Sequence, residues 1–268
     1  MKTRLKRYLK KLIKVLRKPE MNILPGNMAF YFVLALIPLL TIIILVASYF
    51  SISIDLVADL VKDIFPNQVS DTIIALISGK GFDSNIGIFN IVAFAVATNG
   101  TYSIITASNT LYKVEENDML KDRIKSVLIL IIIVILLFFL LLVPILGGQI
   151  LSLLESIEIF DGSLMFIYDL IKWPISFLII YFNIKLIYAI SPSKQIPSNE
   201  TTYGAFFTTV IWVISTVVFS YYVTYFAKYD VLYGNLSTII MLMIWMYVLC
   251  YVFVLGMAIN ATKYNNSD

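Results

Sequence analysis

Six long apolar stretches run through the chain, and they decide what it can fold into. They cover about 28–50, 86–112, 126–147, 165–190, 203–226 and 236–261. Each reaches the ~20 apolar residues that a helix needs to cross the hydrocarbon core of a bilayer. Three of them, 28–50, 126–147 and 236–261, contain no Asp, Glu, Lys or Arg. A helix on a soluble core keeps a polar face, and these stretches have none. The expectation is an all-α polytopic membrane protein, a six-transmembrane-helix bundle with interfacial amphipathic helices. Little of the 268 residues is left for a soluble domain. The expected division is a cytoplasmic basic amphipathic helix at 1–20, a six-span membrane domain at 21–263 and a cytoplasmic tail at 264–268.

Charge is scarce, at 14% of residues against ~25% in soluble domains. There is no histidine, which removes the usual general base, metal ligand and pH switch. The single cysteine, Cys250, lies inside the last apolar stretch and reads as a small packing residue. No enzyme, cofactor or metal is expected.

The first twenty residues hold nine Lys or Arg and one acid. Leu5, Leu9, Leu12, Ile13 and Leu16 recur at helical spacing among them. That pattern predicts a helix lying in the headgroup region, with its cations toward anionic lipid. Pro19 should end it. Nucleic acid is not an expected partner, because neither stacking aromatics nor a docking fold accompanies the charge. With the N-terminus inside, fifteen Lys or Arg fall in inner segments and three, Lys62, Lys80 and Lys228, in outer ones. This positive-inside bias predicts a multi-pass protein of a bacterial cytoplasmic (plasma) membrane with both termini cytoplasmic.

The outer segment 51–85 is too long for a turn. Asp55, Asp59, Lys62 and Asp63 share one helical face opposite Leu56, Leu60 and Ile64, and Pro66 breaks the run before a second short helix. Residues 148–160 repeat that amphipathic theme. Both are expected to seal the bundle as interfacial helices, or else to form a lid over an outward cavity. Tyrosines at 221, 222, 225, 229 and 233 read as an interfacial aromatic belt.

Polar side chains are costly in a bilayer core, so their placement is informative. Span two is the richest. Thr98, Tyr102, Thr106 and Asn109 are spaced four, four and three, with Asn99 alongside and Asn90 further out. Asn183 in span four and Asn260 at the inner end of span six complete a candidate polar groove. The same residues could instead bond neighbouring helices, at ~0.6 kcal/mol per contact. Pro38, Pro144 and Pro174 are candidate helix kinks, since each removes a backbone hydrogen bond.

Short strings of residues, in order, carry a family resemblance over nearly the whole chain. They are Met28-Ala29-Phe30-Tyr31-Phe32 with Leu36-Ile37-Pro38, then Phe65-Pro66, then Asn109-Thr110-Leu111-Tyr112-Lys113-Val114. Further on come Tyr233-Gly234-Asn235-Leu236, Trp245-Met246-Tyr247 and Gly256-Met257-Ala258-Ile259-Asn260. The sequence resembles the YihY/BrkB family of bacterial inner-membrane proteins, older members of which carry the label "ribonuclease BN". The last string resembles the family's Gly-Ala-Glu-Leu-Asn ending, with Ala258 where the family has Glu. The resemblance implies six helical spans and an inner-membrane location. Ribonuclease activity is not expected, because hydrolysis of RNA needs a metal cluster or a His/Lys/carboxylate constellation. The acids Glu115, Glu116, Asp118 and Asp122 read as a solvated turn.

The expected function is transporter-like, moving or sensing a lipid or other amphiphile across the membrane. The alternative is a non-transporting scaffold that binds envelope proteins. Membrane lipids are the expected partners, with anionic lipid at the basic helix. A second copy of the chain or an envelope protein is the protein partner such a bundle could take.

Overall fold

The computed structural model describes residues 21–35, 86–114, 118–155, 163–226 and 233–265, with isolated residues at 13, 17, 55, 58, 59, 62, 70, 71 and 74. Within these segments the side chains at 86–93, 137, 138, 140–155, 163–171, 235 and 238 lie outside the description. Every element among the described residues is helical. The helices are α1 (Met21–Ala35), α2 (Ile86–Tyr112), α3 (Met119–Glu155), α4 (Ser163–Ile190), α5 (Thr202–Tyr225) and α6 (Ser237–Tyr264). A 3-10 turn at Gly234–Leu236 leads into α6. The stretches Lys172–Ile190, Thr202–Tyr225 and Ile239–Tyr264 are each long and apolar enough to span a bilayer, and α1 is a shorter apolar helix. The chain is an all-helical membrane bundle.

Two boundaries differ from the sequence reading. Helix α1 is already helical at Met21, ahead of the apolar stretch that starts at residue 28. Helix α3 runs unbroken to Glu155, so residues 148–155 continue a span where a separate interfacial helix was expected. Pro144, Gly147 and Gly148 do not stop it. A helix emerging from lipid satisfies its backbone most simply by continuing, and Gly inside a helix costs only ~1 kcal/mol. Pro174 likewise sits inside α4, and Pro38 lies outside the described residues. The N-terminal amphipathic segment and the outer helices at 51–85 also fall mostly outside them. Of those segments, Ile13 and Arg17 share a backbone bond of 3.1 Å, Asp59 pairs with Lys62 at 3.4 Å, and Ile74 packs on the Phe219–Trp245 cluster.

Packing closes a ring. Helix α2 lies on α3, α3 on α4, α4 on α5, α5 on α6, and α6 returns to α2. Helix α1 leans on two of these: a Cβ on Gly100 of α2 would lie 3.7 Å from the Tyr31 backbone and the Phe32 ring, and one on Gly26 would lie 3.9 Å from the Tyr247 ring. The largest core gathers Met21, Met28, Ile105, Ile129, Ile184, Tyr188 and Met257. It sits toward the end where α2 stops and α3 starts, here called the basic end because Lys113, Lys121, Lys125, Lys194 and Lys263 lie there. A smaller cluster of Phe219, Val223, Met241, Leu242 and Trp245 holds α5 to α6 toward the other end. Helix α6 is the inner element: half of its apolar window is buried, against 17% for α4.

Lipid tails are as apolar as leucine, so association of helices in a membrane depends on close fit and hydrogen bonds. The α5–α6 seam shows both. A Cβ on Gly204 would strike the Gly256 carbonyl and the Asn260 side chain. A Cβ on Gly256 would meet the Thr208 hydroxyl, the Tyr188 hydroxyl at 2.7 Å and the Gly204 carbonyl at 2.8 Å. The Tyr188 hydroxyl donates to the Phe253 carbonyl at 2.6 Å and shares a 2.8 Å bond with Thr208. One tyrosine thus ties α4, α5 and α6 together.

Candidate functional site

Helix α2 carries polar residues on two different faces. Thr98, Thr101, Ser103, Ser108 and Asn109 are buried. Asn99 and Tyr102 are half-buried, and Thr106 and Thr110 are exposed. The stripe expected from sequence, Thr98–Tyr102–Thr106–Asn109, is therefore divided between the two. Each four-residue step rotates by about 40° around the helix axis, so the stripe runs along the boundary between buried and exposed faces.

Two of the buried residues, Thr101 and Asn109, are bonded to other elements of the bundle; Thr98 and Ser103 donate to carbonyls of α2 itself, and the Ser108 hydroxyl has no hydrogen-bond partner among the described residues. The Thr101 hydroxyl donates to the Ser126 carbonyl of α3 at 2.7 Å and approaches its own Thr98 carbonyl at 3.0 Å. Asn109 donates to Ser193 Oγ at 2.9 Å and to Asp122 Oδ2 at 3.3 Å, and accepts from the Ser193 backbone N–H at 2.8 Å. Ser193 Oγ donates in turn to Asp122 Oδ1 at 2.5 Å. Lys125 donates to the Pro192 carbonyl at 2.8 Å. This knot joins the ends of α2 and α3 to the α4–α5 loop. Asp122 is 2% exposed, so it does not belong to the solvated turn expected of it: Asn109 and Ser193 replace water around the carboxylate. Its neighbour Asp118 does fit that turn. It accepts from Leu120 N and Lys121 N at the start of α3 and pairs with Lys121 Nζ at 3.1 Å. Those bonds to Lys121, side chain first, hold its carboxyl below the usual carboxylate range.

Elsewhere the predicted groove residues are scattered. Asn260 is fully buried in the α5–α6 seam, accepting from Gly204 N at 2.7 Å and donating to the Thr201 carbonyl at 3.1 Å. It serves the start of α5, where Thr201 makes no capping bond of its own. Asn183 donates to the Ile179 carbonyl of its own helix at 2.9 Å. The Asn90 side chain lies outside the description. The structure brings Asn99, Tyr102 and Thr106 onto one surface and leaves Asn109, Asn183 and Asn260 away from it.

The outward row meets a charge that sequence reasoning had counted only toward topology. Arg123, near the start of α3, is exposed. Its Nη1 donates to Asn99 Oδ1 at 2.8 Å, and its guanidinium lies over the Tyr102 ring, 4.4 Å from the centroid. Thr106 and Thr110 donate to the carbonyls four residues back, at 3.1 and 2.8 Å. Further along α3, past Arg123 and away from the basic end, Leu128, Ile131 and Ile135 are exposed. The result is an outward polar row on α2 with a lipid-compatible apolar ridge further along α3. No sequence motif marks Arg123, because only the antiparallel pairing of α2 with α3 brings it to Asn99. The α5–α6 seam did have a signal: Gly204 and Thr208, and Gly256 and Asn260, are small or polar pairs at four-residue spacing, the pattern that lets helix backbones touch.

A second polar group lies at the basic end of α6. Lys263 pairs with Glu200 at 3.0 Å and sits 4.6 Å over Tyr203, while Lys194 lies 4.9 Å over Tyr264. At the opposite end Tyr221, Tyr225, Phe226 and Tyr233 are exposed, as an aromatic belt requires; Tyr229 lies outside the described residues.

No solved structure matches the chain. Among curated proteins it is 29% identical over 240 residues to a Bacillus subtilis protein, YfkH, named as ribonuclease-like, covering 88% of this chain and 87% of that one. It is 24% identical over 251 residues to a UPF0761 membrane protein of Haemophilus influenzae, covering 91% and 90%. A UPF0761 membrane protein of Vibrio campbellii matches at 24% over 257 residues, covering 92% and 79%. The family model described as "Virulence factor BrkB" matches residues 12–268. That match takes in every helix described above, and the chain belongs to the BrkB family of membrane proteins.

Proposed function

We propose that this protein is transporter-like and moves or senses a lipid or other amphiphile, with the outward face of α2 as the surface that handles the headgroup. One observation carries the reading: on one face of a membrane helix Thr106 and Thr110 are exposed and Asn99 and Tyr102 half-buried, with exposed apolar residues on the neighbouring α3. Lipid tails favour apolar surface, so a polar row in that position suits a molecule with a polar head and apolar tails. The basic end is read as cytoplasmic from the positive-inside bias, which puts both termini in the cytoplasm of a bacterial cell. Lipids are then the main partners, with anionic lipid at the basic N-terminal segment.

The scaffold alternative has its own support. Asn109 and Asn260 are spent on bonds inside the bundle, as in a static assembly that presents its surfaces to envelope proteins. Enzymatic hydrolysis, suggested by the name of the Bacillus relative, is disfavoured. Asp118 and Glu200 are engaged by lysines, Asp122 is buried, and the sequence holds no histidine.

Reconstitution into liposomes containing labelled phospholipid tests the leading reading. Movement between leaflets faster than in protein-free vesicles is expected, with the rate reduced by Thr106→Leu. Movement no faster than in empty vesicles would leave the scaffold reading as the better one.

A further inference from the structure

Arg123 stands out beside the outward row of α2. An arginine near the end of a membrane helix ordinarily extends its side chain toward water and the headgroups. Arg123 does the opposite. Its level in the bundle is fixed by its neighbours, since Asp122 bonds Asn109 and the Ser126 carbonyl bonds Thr101. From there its guanidinium reaches back along α2 to Asn99, away from the basic end. Both groups it touches are neutral: the Asn99 amide oxygen and the face of Tyr102. A guanidinium has five N–H donors, and Asn99 takes one. Among the described residues no carboxylate pairs with it; Asp59, Asp118 and Glu200 pair instead with Lys62, Lys121 and Lys263. A cation in a low-dielectric setting without a counter-ion is costly, and a planar fork of donors matches phosphate geometry.

We propose that Arg123, steadied by Asn99 and Tyr102, is a binding site for the phosphate of an anionic membrane lipid. The proposal rests on the reading of the outward face of α2 given above and names the class of headgroup it takes. Asn99 and Tyr102 orient the guanidinium and leave its remaining donors toward the membrane. Leu128 and Ile131 on the neighbouring ridge of α3 supply apolar surface for the acyl chains. Phosphate and apolar tail are then met on one surface. Free inorganic phosphate would use the first half of the site only.

Native mass spectrometry of the full chain, released from nanodiscs, is the test. The probes are phosphatidylglycerol, an uncharged glucosyl-diacylglycerol, and inorganic phosphate alone. Wild type should retain phosphatidylglycerol about tenfold better than the neutral glycolipid, as one charge-assisted contact implies. The basic N-terminal segment contributes the same background to every variant, so the differences between variants isolate the site. Arg123→Gln should remove most of the preference. Asn99→Asp should remove it too while keeping Arg123, because it supplies a counter-ion from within. That second variant is expected to fold at least as well as wild type, so it covers the case in which Arg123→Gln does not fold. Equal retention of the two lipids by wild type would overturn the proposal, as would an unchanged preference in Asn99→Asp. Binding of inorganic phosphate as tight as that of the lipid would replace the lipid with a free anion. The outcomes separate from the transport assay. Headgroup preference without lipid movement sinks the transport reading alone, and movement without preference sinks this one alone.

Discussion

Helix α2 displays two rows of similar residues in opposite circumstances. On the inner row Thr101 and Asn109 are fully engaged, bonded to α3 and to the α4–α5 loop. On the outer row Thr106 and Thr110 bond only to their own helix, and Asn99 meets Arg123. The same chemistry thus does two jobs. Inside, polar groups replace the missing hydrophobic drive between helices; outside, they leave a surface that a bare hydrocarbon neighbour would not choose. If the distinction is right, changes to the buried polar structure should register as stability and changes to the outer row as lipid handling.

The largest effect is expected at the tightest point of the buried region. Gly256→Ala places a methyl against Thr208, Tyr188 and the Gly204 backbone. Backbone cannot yield as a side chain tip can, so a loss of about 3 kcal/mol or more follows. Thermal unfolding in detergent should show a large drop in midpoint or no monodisperse protein. A midpoint within a degree of wild type would mean that the α5–α6 seam is looser than these close contacts imply.

Asp122→Ala comes next. It strips acceptors from Asn109 and Ser193 at a buried point and removes the charge near Lys125. Unpaired buried polar groups cost ~1–3 kcal/mol each, so a loss of about 2 kcal/mol is expected from the same unfolding measurement. Hydrogen exchange should rise in the α4–α5 loop, which Ser193 anchors. Protection unchanged at Ser193 would separate the loop from the knot. Tyr188→Phe is milder. It deletes two hydroxyl contacts yet keeps the ring against Phe253 at 4.7 Å, and about 1 kcal/mol is expected. A loss as large as that of Gly256→Ala would show that the hydroxyl, more than the close backbone contact, holds the seam.

These contrasts mark what could be read from the chain. Helical membrane architecture was legible because hydrocarbon thickness and backbone hydrogen bonding leave few options. The α2 polar residues were legible as a group, since composition alone exposes them. Their division was not, because the four-residue spacing drifts across the boundary between faces, and only the neighbours decide which side is buried. Asp122 and Arg123 are adjacent in a short basic and acidic run, yet one turns inward and the other lies out along α2. The sequence of that run looks like an ordinary loop. Gly204 and Gly256 were readable in principle as close-approach residues, but the chain does not say which turns of α5 and α6 meet.

The smallest expected change in stability is also the most discriminating. Thr106→Val combined with Thr110→Val keeps side-chain volume and β-branching while deleting both hydroxyls. Each hydroxyl bonds only to a carbonyl of α2 that already belongs to the helix, so no group on another element loses a partner. Exposed substitutions of this kind change stability by ~0.5 kcal/mol or less, and the unfolding midpoint should stay near that of wild type. The lipid-facing consequence is different: the outward face of α2 becomes apolar along two helical turns between Tyr102 and the basic end. Leaflet exchange of labelled phospholipid in liposomes should then slow by several-fold while the protein remains as stable as before. Inner-row Thr101→Val should do the reverse, because its hydroxyl reaches the Ser126 carbonyl of α3 while facing away from the membrane. If both variants lower stability alike and leave lipid movement alike, the two rows are one structural feature, and the outer face of α2 has no separate task.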